Sequence, residues 1–121
     1  HLHQGHTLLI ADETSLPTVL ALLENWHNPI PPVVINVLHD EAEHDYVNQI
    51  DIPVGTDMYY IDSKSDSLSQ EIIDVIKSRP QIDAAWAALE NNLAKKIRKY
   101  LREEHGLLGS NNRVKGYWSK R

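Results

Sequence analysis

Asp12-Glu13-Thr14-Ser15, set between an apolar run and Pro17, is the segment of this chain best suited to chemistry. Its side chains are helix-capping oxygens. A helix start also presents backbone N–H groups to a phosphate or carboxylate, and the Thr14 and Ser15 hydroxyls add donors. Asp12 and Glu13 repel an anion, so plain capping and anion binding both stay open. A second cluster sets His39 and His44 among Asp40, Glu41, Glu43 and Asp45. Imidazole and carboxylate are suitable metal ligands, but the spacing is not the H-E-x-x-H of a zinc helix. A solvated acidic loop is expected there, and no metal centre. His1, His3 and His6 are a terminal cluster of the tag-like kind.

The absences narrow the chemistry. The chain has no cysteine, which excludes disulfides, thiolate metal sites and cysteine nucleophiles. It has no G-x-S-x-G elbow, no P-loop and no G-x-G-x-x-G turn. An acidic pocket of the response-regulator kind would need a Lys after a late strand, where this chain has Ala88-Leu89. No catalytic constellation stands out from residue types alone.

The elements that position these residues alternate. Thr7 to Ala11 is apolar throughout, as a central parallel strand should be. Leu16, Val19, Leu20, Leu22 and Leu23 make a helical stripe ending near Trp26, with Pro17 in its first turn. Strands are predicted at Val33 to Leu38, Asp57 to Ile61, Ile82 to Ala88 and Arg113 to Trp118. Helices are predicted from Leu68 to the residues before Pro80 and from Asn91 to Glu104, the latter ended by Gly106, and a short one is allowed within 39–51. Strands alternating with helices predict a three-layer, doubly wound parallel sheet of about five strands, order 3-2-1-4-5. Leu9, Ile10, Val34, Ile35, Trp86, Ile97 and Leu101 should be buried. Ligands of such sheets lie beyond the strands' carboxyl ends, where strand order reverses. The loops to watch are therefore Ala11 to Ser15, His39 to His44, Ser63 to Asp66 and Ala88 to Asn92.

A chain of 121 residues is one domain's worth, here 41% hydrophobic and 24% charged. No apolar run approaches a membrane span and no signal-peptide pattern opens the chain, so a cytoplasmic domain is expected. The net charge of −5 is unevenly placed: residues 1–90 hold three basic and fifteen acidic side chains, residues 91–121 nine basic and two acidic. A solvated basic helix face or a site for an anionic partner are the two uses of that excess. Nucleic acid is not expected, since no reading motif accompanies the charge.

Three segments together resemble one family. Leu8-Leu9-Ile10-Ala11-Asp12-Glu13-Thr14-Ser15-Leu16-Pro17 resembles the L-L-x-G-D-E-T-A-L-P segment of siderophore-interacting proteins, flavin-dependent ferric-siderophore reductases. Trp86-Ala87-Ala88-Leu89-Glu90 resembles their W-A-A-G-E segment. Ile97 to Leu107, followed by Gly116-Tyr117-Trp118, resembles their R-x-x-L-R-x-E-x-G-L and terminal G-Y-W.

The resemblance implies the C-terminal, pyridine-nucleotide-binding half of a ferredoxin-reductase-like protein. Ala11, Asp12, Glu13, Thr14 and Ser15, with Ala88, Leu89 and Glu90, would then flank NAD(P)H. Lys115, Tyr117, Trp118, Lys120 and Arg121 would meet an anionic ferric siderophore near the flavin edge. Ala11 and Leu89 stand where the family has glycine, and Leu89 is expected to narrow the site. The family's FAD-binding β-barrel is expected to be absent from these residues, because the first strand begins within ten of them. The chain is then a fragment, a split subunit or a stand-alone domain, inactive alone, with FAD supplied by another domain or chain. Acids and no bases between His1 and Tyr60 favour NADH over NADPH. The alternative is a non-catalytic protein-binding or oligomerising domain on the same scaffold.

Overall fold

The computed structural model describes residues 5–39, 52–79 and 81–119. Its strands are β1 (Thr7–Asp12), β2 (Val33–Leu38), β3 (Asp57–Asp62), β4 (Ala84–Glu90) and β5 (Asn112–Trp118). Its helices are α1 (Leu16–Glu24), α2 (Leu68–Lys77) and α3 (Asn91–His105). The five strands form one all-parallel sheet in the order β3-β2-β1-β4-β5. This is the doubly wound α/β architecture expected. The short helix allowed within 39–51 lies outside the described residues.

Burial on both faces explains why β1 and β2 read as continuous apolar runs. Leu8, Ile10, Ile35 and Val37 lie on the face packed by Ile72 and Ile76 of α2 and by Ile97 and Leu101 of α3. Leu9, Ala11, Val34 and Leu38 lie on the other, under Val19, Leu20 and Leu23 of α1. Each fully buried Leu or Ile side chain contributes roughly 1.5–3 kcal/mol relative to exposure.

Two details differ from the sequence reading. β4 begins and ends two residues later, because its register is set by pairing of Thr7 to Ala11 with Ala84 to Ala88. That shift carries the strand to Glu90, directly against α3. Trp86 is half-buried rather than buried. It pairs with the exposed Arg113 and packs only partly against the cluster under α1. Gly106 does end α3, in the left-handed conformation at φ 66°.

Candidate functional site

The chain runs from β1 through β2 to β3 on one side of the sheet and then through β4 to β5 on the other, so strand order reverses between β1 and β4. Asp12 and Glu90 are the last residues of those two strands. Beyond them opens a cavity of about 380 Å³. Its apolar walls are Val37, Leu68, Leu93 and Trp118, and its polar lining includes Glu13, Thr14, Ser63, Lys64 and Glu90. Loops after β1, β3 and β4 therefore meet where the topology expects a ligand.

The carboxylate of Asp12 is committed within the protein. Its Oδ1 accepts from the Thr14 N–H (2.9 Å), the Thr14 hydroxyl (2.7 Å), the Ser15 N–H (3.1 Å) and the Ser15 hydroxyl (3.3 Å). The Ser15 hydroxyl in turn accepts from the Asp12 N–H at 3.0 Å, closing the turn on itself. Two further donors reach it from the far end of the chain. The Tyr117 hydroxyl donates to Oδ1 at 2.9 Å and the Trp118 indole N–H to Oδ2 at 2.8 Å. Burial, and then the bond to Asp12, push the Tyr117 phenol up to about 12.

Two consecutive strand residues normally point to opposite faces. A register shift lets both reach Asp12: Leu89 pairs with Gly116 but Glu90 with Trp118, leaving Tyr117 as the extra residue of a bulge. Gly116 is required just before it. A Cβ there would fall 2.7 Å from the Cα of Asn91, at the start of α3.

Glu90 caps α3, accepting from the Asn92 N–H at 2.8 Å and the Leu93 N–H at 3.2 Å. Opposite, the Ser63 hydroxyl donates to Glu13 at 3.3 Å, linking the loops after β1 and β3. The backbone N–H of Lys64, and then His39, hold the Asp62 carboxyl below its ordinary range. Among the described residues no three metal-ligating side chains converge.

The expected site residues divide accordingly. Glu13, Thr14, Glu90 and Trp118 line the cavity, and so does Asp12, with its oxygens already engaged. Ser15 is buried in the turn, and Ala11 is buried under α1. Ala88 is half-buried and outside the cavity lining. Leu89 does not narrow the crevice: its side chain is fully buried in the core packed by α2 and α3, and it is not part of the cavity lining. Lys115 is exposed on β5, Tyr117 and Trp118 keep 47% and 39% of their surface, and Lys120 and Arg121 lie outside the described residues. Sequence reasoning watched the Ser63 loop but nominated no residue from it. The signal was Lys64, one of three bases before residue 91.

The three segments of the sequence resemblance thus meet around one cavity, and comparison with known proteins agrees. The family model described as siderophore-interacting protein matches residues 4–121. This chain belongs to the siderophore-interacting protein family. Among solved structures it is similar to the siderophore-interacting protein of Acinetobacter baumannii, at 21% identity and TM-score 0.79, over 96% of this chain and 46% of that one. A siderophore utilization protein from T. fusca gives 24% and 0.76, over 95% of this chain and 45% of its own. The siderophore-interacting protein SipS of Aeromonas hydrophila gives 17% and 0.77, over 94% and 46%. At these identities the likeness speaks for the fold. The family member described here spans a little under half the length of each. No curated protein sequence matches it. Among the described residues no helix is long and apolar enough to cross a membrane.

Proposed function

We propose that this chain is the NAD(P)H-binding half of a flavin-dependent ferric-siderophore reductase, inactive alone and completed by an FAD-carrying barrel from another domain or chain. The observation that supports this most is the cavity at the strand-order reversal, walled by Trp118, Leu93, Leu68 and Val37. Those walls suit a flat ring. The Lys64 ammonium is the donor for a ribose or phosphate, while the Thr14 and Ser63 hydroxyls, whose protons go to Asp12 and Glu13, are left to accept from the ribose. The fit is better for a nicotinamide riboside than for a pyrophosphate. Asp12 already takes the Thr14 and Ser15 N–H groups, and Glu90 those of Asn92 and Leu93, so phosphate contacts fall to Lys64. The carboxylates of Glu13 and Glu90 on the lining favour NADH, which lacks the extra phosphate.

When bound, the reduced nicotinamide supplies a hydride, whose electrons pass through the partner's flavin to the ferric iron of the substrate. This chain's part is to seat the ring against Trp118 and to orient the ribose. Lys115 and the basic residues around it, Arg113, Lys120 and Arg121, would attract an anionic ferric siderophore to the exposed faces of Tyr117 and Trp118. Such exposed charges act modestly and are screened over about 10 Å at 0.1 M salt. One observation also supports a binding role in which no electrons move. Trp86 is half-buried beside the exposed Arg113 and Lys115 on the outer strands of a parallel sheet, a fold normally covered on both faces.

Titration of the purified chain with NADH and NADPH, followed by calorimetry, tests the reading. NADH should bind more tightly than NADPH, the protein should be colourless, and it should not reduce a ferric catecholate without a flavin-carrying partner. A folded chain that binds neither nucleotide contradicts the enzyme reading and leaves the binding role.

A further inference from the structure

The six hydrogen bonds accepted by Asp12 fall into two sets. Four come from Thr14 and Ser15, within its own turn, and all end on Oδ1. Two come from Tyr117 and Trp118, 105 and 106 residues away, and Trp118 reaches Oδ2. A turn cap needs only the first set. The second set acts at the end of β5, beyond the register shift. β5 is an edge strand, its ladder to β4 is broken by the register shift, and Tyr117 and Trp118 are both well exposed. Bonds to a carboxylate are roughly twice as strong as bonds between neutral groups. Asp12 itself is only 7% exposed, and five of its six bonds crowd onto Oδ1 while Trp118 holds Oδ2.

We propose that Asp12 is a positioning residue: it latches the end of β5 onto the turn after β1, so fixing Trp118 as the aromatic wall of the cavity, and touches no ligand. The latch stands on its hydrogen bonds; its bearing on nucleotide binding rests on the reading of the cavity given above.

Asp12→Asn separates the two sets of bonds. The amide keeps the shape and one acceptor for the turn, but sets an NH2 group against the indole donor. The indole N–H signals of the three tryptophans are followed by NMR, with Trp118→Phe assigning one of them. In Asp12→Asn the Trp118 indole should exchange with solvent about tenfold faster or more. The Trp26 indole, bonded to the Ile30 carbonyl, should not change. Thr14→Ala removes one turn donor, the hydroxyl, but leaves both long-range bonds, so it should leave Trp118 protected. An unchanged Trp118 signal in Asp12→Asn overturns the latch and leaves Asp12 a local cap. If Asp12→Asn does not fold, Tyr117→Phe removes one latch bond and leaves the carboxylate in place. Trp118 exchange should then rise several-fold, and no rise overturns the proposal. Titration with NADH is read separately. If the wild-type chain does not bind it, the cavity reading fails while the latch is still judged by the Trp118 signal.

Discussion

Gly116→Ala is the substitution whose consequence the geometry defines most sharply. Gly116 does not lie in the left-handed region, so an alanine there meets no backbone strain. Its cost is steric. The new Cβ would press on the side chain of Asn91 and stand 2.7 Å from its Cα. A Cα at the start of a packed helix cannot rotate away, so β5 must lift. Forcing a methyl into filled space costs about 1–3 kcal/mol. Disturbing the bond from the Asn91 amide to Ser119 (2.6 Å) adds about 1 kcal/mol. We expect a loss of about 2–4 kcal/mol, or roughly 8–16 °C in melting temperature for a domain of this size. Gly106→Ala is the matched control. Gly106 sits at φ 66° with nothing within 4 Å of the new Cβ, so its cost is conformational alone, about 1 kcal/mol. Thermal and urea melts of the three proteins decide. If Gly116→Ala is as stable as wild type, or Gly106→Ala loses more, the account of how β5 passes α3 is wrong.

Three further outcomes follow from the same contacts. Glu90→Ala should cost about 1 kcal/mol in urea unfolding, with Glu90→Gln between it and wild type, because the side chain caps α3 through two N–H groups. Stability should fall across the window from pH 10 to pH 12: the unfolded chain releases the Tyr117 proton near 10, while the folded chain holds it to about 12. Tyr60 and Tyr100 are also raised, so the part lost in Tyr117→Phe isolates this component, and identical alkaline profiles for the two proteins would exclude it. Lys64→Ala should weaken NADH and NADPH alike, by about fivefold, since both carry the pyrophosphate and one exposed cation is worth up to about 1 kcal/mol; calorimetry showing no loss for either would remove Lys64 from phosphate recognition.

Most of the fold was legible in the sequence because its signals are local. The apolar run at Thr7 to Ala11 and the stripes on Leu16 to Leu23 and on Leu93 to Leu101 each reflect burial of one face or both. Alternation of strand and helix then leaves few topologies, and the observed strand order is the expected one. Gly106 was readable as a helix stop for the same local reason. The roles within the site were not readable, because they depend on residues far apart in the chain. Asp12 has the type and place of a cap, and nothing near it in sequence announces Tyr117 and Trp118. Leu89 and Glu90 look equally placed to meet a ligand. The pleat buries Leu89 in the core, and β4 runs two residues further than its apolar run suggests, which sets Glu90 on the first turn of α3. Trp86 reads as core by hydrophobicity, yet a strand near the sheet's edge is covered only as far as its neighbouring helices reach. Periodicity decides which side chains share a face. Only the packed sheet, with its register and its bulge, decides which of them meet.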